Sequence, residues 1–268
     1  MIRIAFFDVD HTLLSHTTYT VSERDRKSLS LLQKKGIRVC LCTGRNRTEL
    51  EKLGILQLLS TDALVLLAGQ FAECDGRRIY SNPFPAVFVE QIIEKLRHKE
   101  MRGFLMYEDS IIADSEDPGI DDLYYFYNGN EGVMQLEKGL EKAKQEDCYE
   151  ISLVLKEDDI ASLQIPTDRY RYARFGENGF DLFPADGGKS AGMEAVLHYY
   201  GISSEETIAF GDSPNDTDML QMAGIAVAMG NADEKTKQTA DYITEDVEHD
   251  GVTKALVYFG LLNQEEII

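Results

Sequence analysis

The chain has 268 residues, of which 43% are hydrophobic and 28% are charged, and its formal net charge is −20. This length favours two domains, and the strong negative charge argues against a nucleic acid or an anionic membrane as a partner. No apolar run approaches the roughly 20 residues that cross a bilayer. The four cysteines lack zinc-binding spacing and the N-terminus lacks signal-peptide character, so we expect a cytoplasmic protein.

The first predicted strand carries the most informative motif. The apolar run Ile4-Ala5-Phe6-Phe7 leads directly to Asp8 and Asp10. Such a run indicates a buried parallel strand, and ligands of open α/β sheets bind beyond the carboxyl ends of strands. An aspartate can attack phosphorus, and a second carboxyl group can protonate the departing alkoxide. Asp8 is therefore a candidate nucleophile and Asp10 a candidate general acid and base; the alternative is a surface turn with two solvated acids.

The next predicted elements are a helix capped by Ser22 and a second strand over residues 37–42, which leads to Thr43 and Gly44. A hydroxyl group and an unhindered glycine amide suit phosphate oxygens. Taken alone, this pair fits an ordinary strand-to-helix turn better. A third strand follows over residues 63–67, and Asp75-Gly76 predicts the turn of a hairpin.

The pattern of the sequence changes at Asn82-Pro83-Phe84-Pro85, which predicts a stiff connector. Residues 83–183 mix strands with helices, including predicted helices at 123–127 and 133–145, and indicate a mostly antiparallel sheet. After Pro184 the strand-helix alternation of the opening returns. We therefore predict an α/β fold with a Rossmann-like parallel-sheet core, residues 1–82 and 184–268, and an inserted α+β cap domain, residues 83–183. By analogy, such an insert acts as a lid.

The return to the core brings the sequence Gly187-Gly188-Lys189-Ser190, after a strand at 180–183 and at the start of a predicted helix. A helix N-terminus and an ammonium group both favour an anion. The nucleotide-binding P-loop is excluded, because that motif needs glycine at position 183, where Phe183 stands. A solvated surface lysine is the alternative interpretation of Lys189.

The last chemical motif follows the strand at 207–211 and reads Gly211-Asp212-Ser213-Pro214-Asn215-Asp216. Oxygen ligands at a strand end suit a hard cation, and magnesium fits best. Helix capping by Asp212 or Asn215 is the alternative, but the length of the motif favours a metal site. The four strand ends are expected to meet along one edge of one sheet.

Together these segments resemble the haloacid dehalogenase-superfamily phosphatases of the Cof type. The resemblance implies a Mg²⁺-dependent phosphomonoester hydrolase that acts on small phosphorylated metabolites, such as sugar phosphates or phosphorylated cofactors, through an aspartyl-phosphate. The alternatives are a phosphomutase and a non-catalytic phosphometabolite-binding protein. The resemblance covers the whole core and rests on the segments at 8–14, 43–45, 189, 211–220, 230–232, 241–244 and 250–252.

The resemblance also implies the role of each site residue. Asp8 attacks the phosphorus, and Asp10 protonates the leaving oxygen and then activates water. Magnesium is held by the Asp8 side chain, the Asp10 carbonyl and Asp212, while Asp216 orients these groups. The phosphoryl group is held by Thr43, Gly44, Lys189 and Asn215.

This sequence departs from the family pattern at two places. His11 stands where glycine usually follows the second aspartate, and Ala68-Gly69-Gln70 stands where relatives often carry Asn-Gly-Ala. Both departures are expected to alter the entrance and the substrate contacts. Among the histidines, only His11 is expected to line the site. Candidates for reading the leaving group are Tyr124, Tyr125, Tyr127 and Arg174, and the chain is expected to be a monomer or a homodimer.

Overall fold

A computed structural model describes residues 1–99, 101–113, 137–138, 146–174 and 178–267. The chain forms two compact units. The first comprises residues 1–44, 54–80 and 188–268, and the second comprises residues 45–53 and 81–187. The short segment 45–53 thus belongs with the second unit although its neighbours on both sides belong to the first.

The first unit is built on an eight-stranded sheet. Its strands are β1 (Ile4–Phe7), β2 (Arg38–Cys42), β3 (Ala63–Leu66), β4 (Phe71–Cys74), β5 (Arg77–Ser81), β12 (Thr207–Gly211), β13 (Ile225–Ala228) and β14 (Tyr242–Ile243). Their order is β14-β13-β12-β1-β2-β3-β4-β5, with parallel pairing from β14 to β3 and antiparallel pairing between β3 and β4. Every residue of β1 is buried, as expected for a parallel strand covered on both faces.

The α-helices described in this unit are Glu23–Lys34, Ile55–Leu58, Lys189–Tyr200, Thr217–Met222, Glu234–Thr239, Gly251–Tyr258 and Gln264–Ile267. Ser22 caps the first of them, as predicted, because its side chain accepts a hydrogen bond from the amide of Asp25. The helix Lys189–Tyr200 contributes Met193 and Val196 to a core that also contains Cys40 and Cys42. These two cysteines are buried free thiols, so they act as packing residues.

The second unit is built on a six-stranded sheet with the order β10-β11-β9-β6-β7-β8, as the predicted α+β insert requires. All its described pairs are antiparallel except β7 with β8. Its core lies between the helix Ala86–His98 and one face of the sheet. The strands are β6 (Arg102–Met106), β7 (Ile111–Ala113), β8 (Glu137–Lys138), β9 (Glu150–Val154), β10 (Tyr170–Arg174) and β11 (Gly179–Pro184), and the other helices described are Arg47–Lys52 and Glu157–Ile160.

Two sequence-based expectations are wrong in this unit. The strand predicted at 180–183 is part of β11, in the second sheet, so it does not end on the same sheet edge as the other three. The predicted helix at 133–145 is wrong at the two residues described there, which form β8. The predicted helix at 123–127, with Tyr124, Tyr125 and Tyr127, lies outside the described residues. Within the described ranges, every helix is too short or too polar to cross a membrane.

Candidate active site

Three neighbouring parallel strands of the first unit end beside polar residues. Strand β1 pairs with β12 on one side and with β2 on the other. Asp8 follows β1, Thr43 follows β2 and Asp212 follows β12. The backbone amide of Asp8 donates to the Phe210 carbonyl at 3.0 Å, and that of Thr43 donates to the Val65 carbonyl at 2.9 Å. The backbone hydrogen bonds between neighbouring strands therefore continue one residue beyond β1 and β2, and they fix the positions of Asp8 and Thr43.

Lys189 lies at the centre of this edge. Its Nζ is 2.5 Å from Asp8 Oδ1 and 2.5 Å from Asp216 Oδ1, and its side chain is 1% exposed. Burial alone lowers the pKa of this lysine, but the charges of Asp216 and Asp8 outweigh that cost and raise the pKa well above its ordinary value. The lysine is therefore a buried, charged group, which excludes the solvated surface lysine.

Two glycines explain how Lys189 reaches this position from outside the sheet. Gly69 has φ +90°, and a Cβ on it would overlap the carbonyl of Gly188. Gly188 itself has φ +120°. The backbone of the turn after β3 can therefore pack directly against the backbone at the start of the helix Lys189–Tyr200. The same turn adjoins β2, because the amide of Ala68 donates to the Thr43 carbonyl at 3.1 Å.

Asp216 ties the loop after β12 to Lys189. Its Oδ2 accepts hydrogen bonds from the backbone amides of Asp212 and Ser213, each at 3.0 Å, while its Oδ1 contacts the lysine. A Cβ on Gly211 would lie 2.6 Å from Asp216 Cγ, so only glycine allows this side chain to fold back on the strand end. Both carboxylate oxygens of Asp216 are thus occupied by protein donors.

The described part of the site contains more buried carboxyl groups than ammonium groups. Carboxylate oxygens of Asp8, Asp212 and Asp216 lie within 4.8 Å of one another, and Lys189 is the ammonium group between two of them. Burial, against the partial relief given by Lys189, raises the pKa of Asp8 to about 7. Burial and the charge of Asp8 raise the pKa of Asp212 to about 9. Carboxylate oxygens that outnumber the neighbouring ammonium groups are suitable ligands for a hard divalent cation.

A family model of haloacid dehalogenase-like hydrolases matches residues 5–256. The chain belongs to this family. The protein YkrA of Bacillus subtilis is 29% identical over 97% of this chain and 98% of its own length. The 5-amino-6-(5-phospho-D-ribitylamino)uracil phosphatase YitU of Bacillus subtilis is 27% identical over 95% of this chain and 96% of its own length. The solved structure of the HAD subclass IIB sugar phosphatase BT4131 has 25% identity and a TM-score of 0.85, and covers 97% of this chain and 100% of its own.

These comparisons confirm the predicted superfamily, the fold class and the assignment of the chain as a hydrolase of this superfamily. Within this haloacid dehalogenase-like hydrolase, the structure brings four of the predicted site residues into direct contact, namely Asp8, Lys189, Asp212 and Asp216. Thr43 is fully buried at the end of β2 next to the Gly69 turn. The roles predicted for these residues stay predictions.

Asn215 and Asp10 are placed differently from this central group. Asn215 is exposed, and its Oδ1 accepts a hydrogen bond from the Ser213 hydroxyl at 2.6 Å. The Asp10 carboxyl group is 28% exposed, and its Oδ1 lies 2.7 Å from Nε2 of His16. His16, which was not expected at the site, thus contacts a predicted site residue.

Two further residues with contacts at the site were not singled out from the sequence. Thr12 is fully buried and its hydroxyl donates to Asp212 Oδ1 at 3.5 Å. Asn231 donates from its amide nitrogen to the His11 carbonyl and accepts from the amide of Val247, each at 2.9 Å. Both lie inside segments that carry the family resemblance, so their presence there was the available signal. His16 had no such signal, because its contact depends on how the turn after β1 folds.

Proposed function

We propose that this haloacid dehalogenase-like hydrolase is a Mg²⁺-dependent phosphomonoesterase acting on small phosphorylated metabolites. The observation that carries the proposal is the buried Lys189 ammonium, held at 2.5 Å by Asp8 and by Asp216 beside the third carboxylate, Asp212. A nucleophilic carboxylate next to a fixed cation suits phosphoryl transfer, in which positioning and charge neutralisation do most of the catalysis.

Asp8 and Asp10 divide the covalent and proton-transfer steps between them. A carboxylate oxygen of Asp8 attacks the phosphorus, and the ester P–O bond breaks as Asp10 gives its proton to the leaving alkoxide. Asp10 then takes a proton from the water that attacks the aspartyl-phosphate. This step releases inorganic phosphate and restores the Asp8 carboxylate and the Asp10 acid.

The donor set fits magnesium. The ligands we propose are the carboxylates of Asp8 and Asp212 and the carbonyl of Asp10. Asp216 orients them rather than binding the ion, because protein donors occupy both of its oxygens. When bound, Mg²⁺ supplies charge neutralisation at the oxygens of the transferring phosphoryl group.

The phosphoryl oxygens require donors that reach the phosphorus from the other sides. We propose Thr43, Gly44, Lys189 and Asn215 for this role. A Cβ on Gly44 would have no atom within 4 Å, so its backbone is open to a close approach by an anion. Lys189 contributes the full charge among these donors.

The names of two relatives support the substrate class. YitU is named for a phosphorylated ribityl compound and BT4131 for sugar phosphates. Both substrates are phosphate monoesters of polar, hydroxyl-rich carbon chains. We therefore propose phosphorylated sugar-like metabolites as the first compounds to test.

Phosphate release from a panel of sugar phosphates and phosphorylated cofactors, measured with Mg²⁺ and with a chelator, tests this function. We expect release from some members that stops when the metal is removed. Isomerised substrate without free phosphate would instead show a phosphomutase. Saturable binding without any product would show a binding protein, and either result contradicts the proposal.

A further inference from the structure

The turn after β1 returns to the end of that strand. Isolated bridges join Asp10 to Leu14 and Leu14 to Val21. This path brings His16 back to Asp10, so that Nε2 lies 2.7 Å from Oδ1. The two side chains are 32% and 28% exposed, so their hydrogen bond is partly shielded from water.

The rings of two neighbouring residues lie beside the His16 ring. The His11 ring lies 3.9 Å from it, measured between centroids, and the Tyr19 ring lies 6.1 Å from it. His11 has φ 58°, a left-handed conformation that L-residues other than glycine rarely adopt. Its carbonyl is held by Asn231 at 2.9 Å. The hydrogen bond between His16 and Asp10 is therefore part of a cluster of contacting residues that also contains His11 and Asn231.

We propose that His16 is a positioning residue that holds Oδ1 of Asp10 and so fixes the carboxyl group that protonates the leaving oxygen. The inference rests on the proposed phosphomonoesterase function. A partly exposed aspartate can adopt several staggered rotamers, and a hydrogen bond to one carboxylate oxygen favours the rotamer that makes it. A general acid acts only from within hydrogen-bond reach of the atom it protonates, so holding one rotamer increases the productive fraction.

Substrates with different leaving groups distinguish a positioning role of His16 from a merely structural one. An alkoxide leaving a sugar phosphate needs a proton as the P–O bond breaks, whereas nitrophenolate leaves p-nitrophenyl phosphate without one. The constant kcat/KM reports the steps up to that cleavage. Loss of Asp10 positioning should therefore lower kcat/KM for an alkyl phosphate and spare the nitrophenyl ester.

Two substitutions test the ring and the hydrogen-bonding nitrogen of His16 separately. His16→Phe keeps a ring beside His11 and removes the nitrogen, while His16→Gln removes the ring and keeps an amide donor able to reach Asp10. We expect His16→Phe to lower kcat/KM for an alkyl phosphate about tenfold or more and for p-nitrophenyl phosphate less than about threefold. We expect His16→Gln to stay within about threefold of wild type for both substrates.

A second histidine–aspartate pair in the same unit provides a matched control. Nδ1 of His249 lies 2.6 Å from Asp246 Oδ1, and the histidine is 66% exposed. We expect His249→Phe to leave both rate constants unchanged. The inference is overturned if His16→Phe loses activity equally for the two substrates or loses none for either. It is also overturned if His16→Gln fails to retain activity. None of these results contradicts the proposed phosphomonoesterase function.

A measurement without turnover tests the contact itself. In the full chain labelled with ¹⁵N-histidine, Asp10→Ala should shift the imidazole resonances of His16 and leave those of His249 in place. Unshifted His16 resonances would overturn the inference directly. A wild-type protein that releases phosphate from no compound would overturn the proposed function, and the inference with it.

Discussion

At the scale of single residues, the site is dominated by one ammonium group among three carboxylates. Lys189 contacts Asp8 and Asp216, while the carboxylate of Asp212 has a raised pKa of about 9 because it is buried beside them. Buried ions of one sign are tolerated only where a partner of the other sign is fixed nearby. The lysine thus has a structural effect in addition to its proposed role with phosphate.

Replacing this lysine should expose that structural effect. Lys189→Met keeps much of the volume and leaves two buried carboxylates without their cation, so we expect a loss of about 3–5 kcal/mol in the free energy of unfolding. Urea denaturation measures it. The control is Lys35→Met, which removes an ion pair with Glu266 at 2.8 Å and should cost much less, because solvent screens that pair. Equal losses in the two variants would contradict the account of Lys189.

The raised pKa values predict that the proposed magnesium binding depends on pH. Without metal, Asp212 has a pKa of about 9 and Asp8 about 7, so at pH 7 an arriving ion displaces a proton. Apparent Mg²⁺ affinity should therefore rise with pH up to about pH 9, most steeply below pH 7, with about one and a half protons released per ion at pH 7. Calorimetry in buffers of different ionisation enthalpy measures this release. Affinity that does not change with pH would contradict it, and Asp212→Asn should bind the ion weakly at every pH.

At the scale of secondary-structure elements, the site depends on a close backbone contact between segments far apart in the chain. The turn after β3 meets the start of the helix Lys189–Tyr200 at Gly69 and Gly188. The helix is also packed on the sheet through Met193 and Val196. This contact, rather than a strand end, determines where the lysine lies.

Adding one methyl group at this contact should displace the helix. In Gly69→Ala the new Cβ overlaps the Gly188 carbonyl and also requires φ +90°, whereas Gly76→Ala requires φ +72° in open space. We expect Gly76→Ala to cost about 1–2 kcal/mol. Gly69→Ala should cost about 1–3 kcal/mol more, from overpacking. Chemical denaturation of both variants gives the difference, and similar values would show that the contact can relax.

Much of the site could be predicted from sequence because its signals are local. An apolar strand followed at once by carboxylates indicates where Asp8 and Asp212 lie, since strand ends share one sheet edge. The position of Lys189 had no equivalent signal, because β11 before it belongs to the other sheet and the contact with Gly69 spans more than a hundred residues. The hydrogen bond between His16 and Asp10 likewise depends on the conformation of a turn.

At the scale of the whole molecule, the chain alternates between its two units more often than the sequence indicated. Residues 45–53 belong to the second unit, where the Asn46 amide donates to the Ser110 carbonyl at 3.3 Å and the Thr48 hydroxyl donates to the Asp109 carbonyl at 2.6 Å. Composition and turn signals do not reveal such long-range bonds. The predicted domain limits, between residues 82 and 83 and between residues 183 and 184, stay a prediction. Limited proteolysis tests them.

Asp8 is the proposed nucleophile of a Mg²⁺-dependent phosphomonoesterase. The most direct measurement is the rate of phosphate release by wild type and by Asp8→Asn, on the best substrate of the panel, with Mg²⁺ and with chelator. Circular dichroism establishes that both proteins are folded. We predict metal-dependent release by wild type and a loss to background in Asp8→Asn, because an amide oxygen cannot replace the carboxylate as nucleophile. Release by the folded Asp8→Asn protein at a rate near wild type would contradict the account.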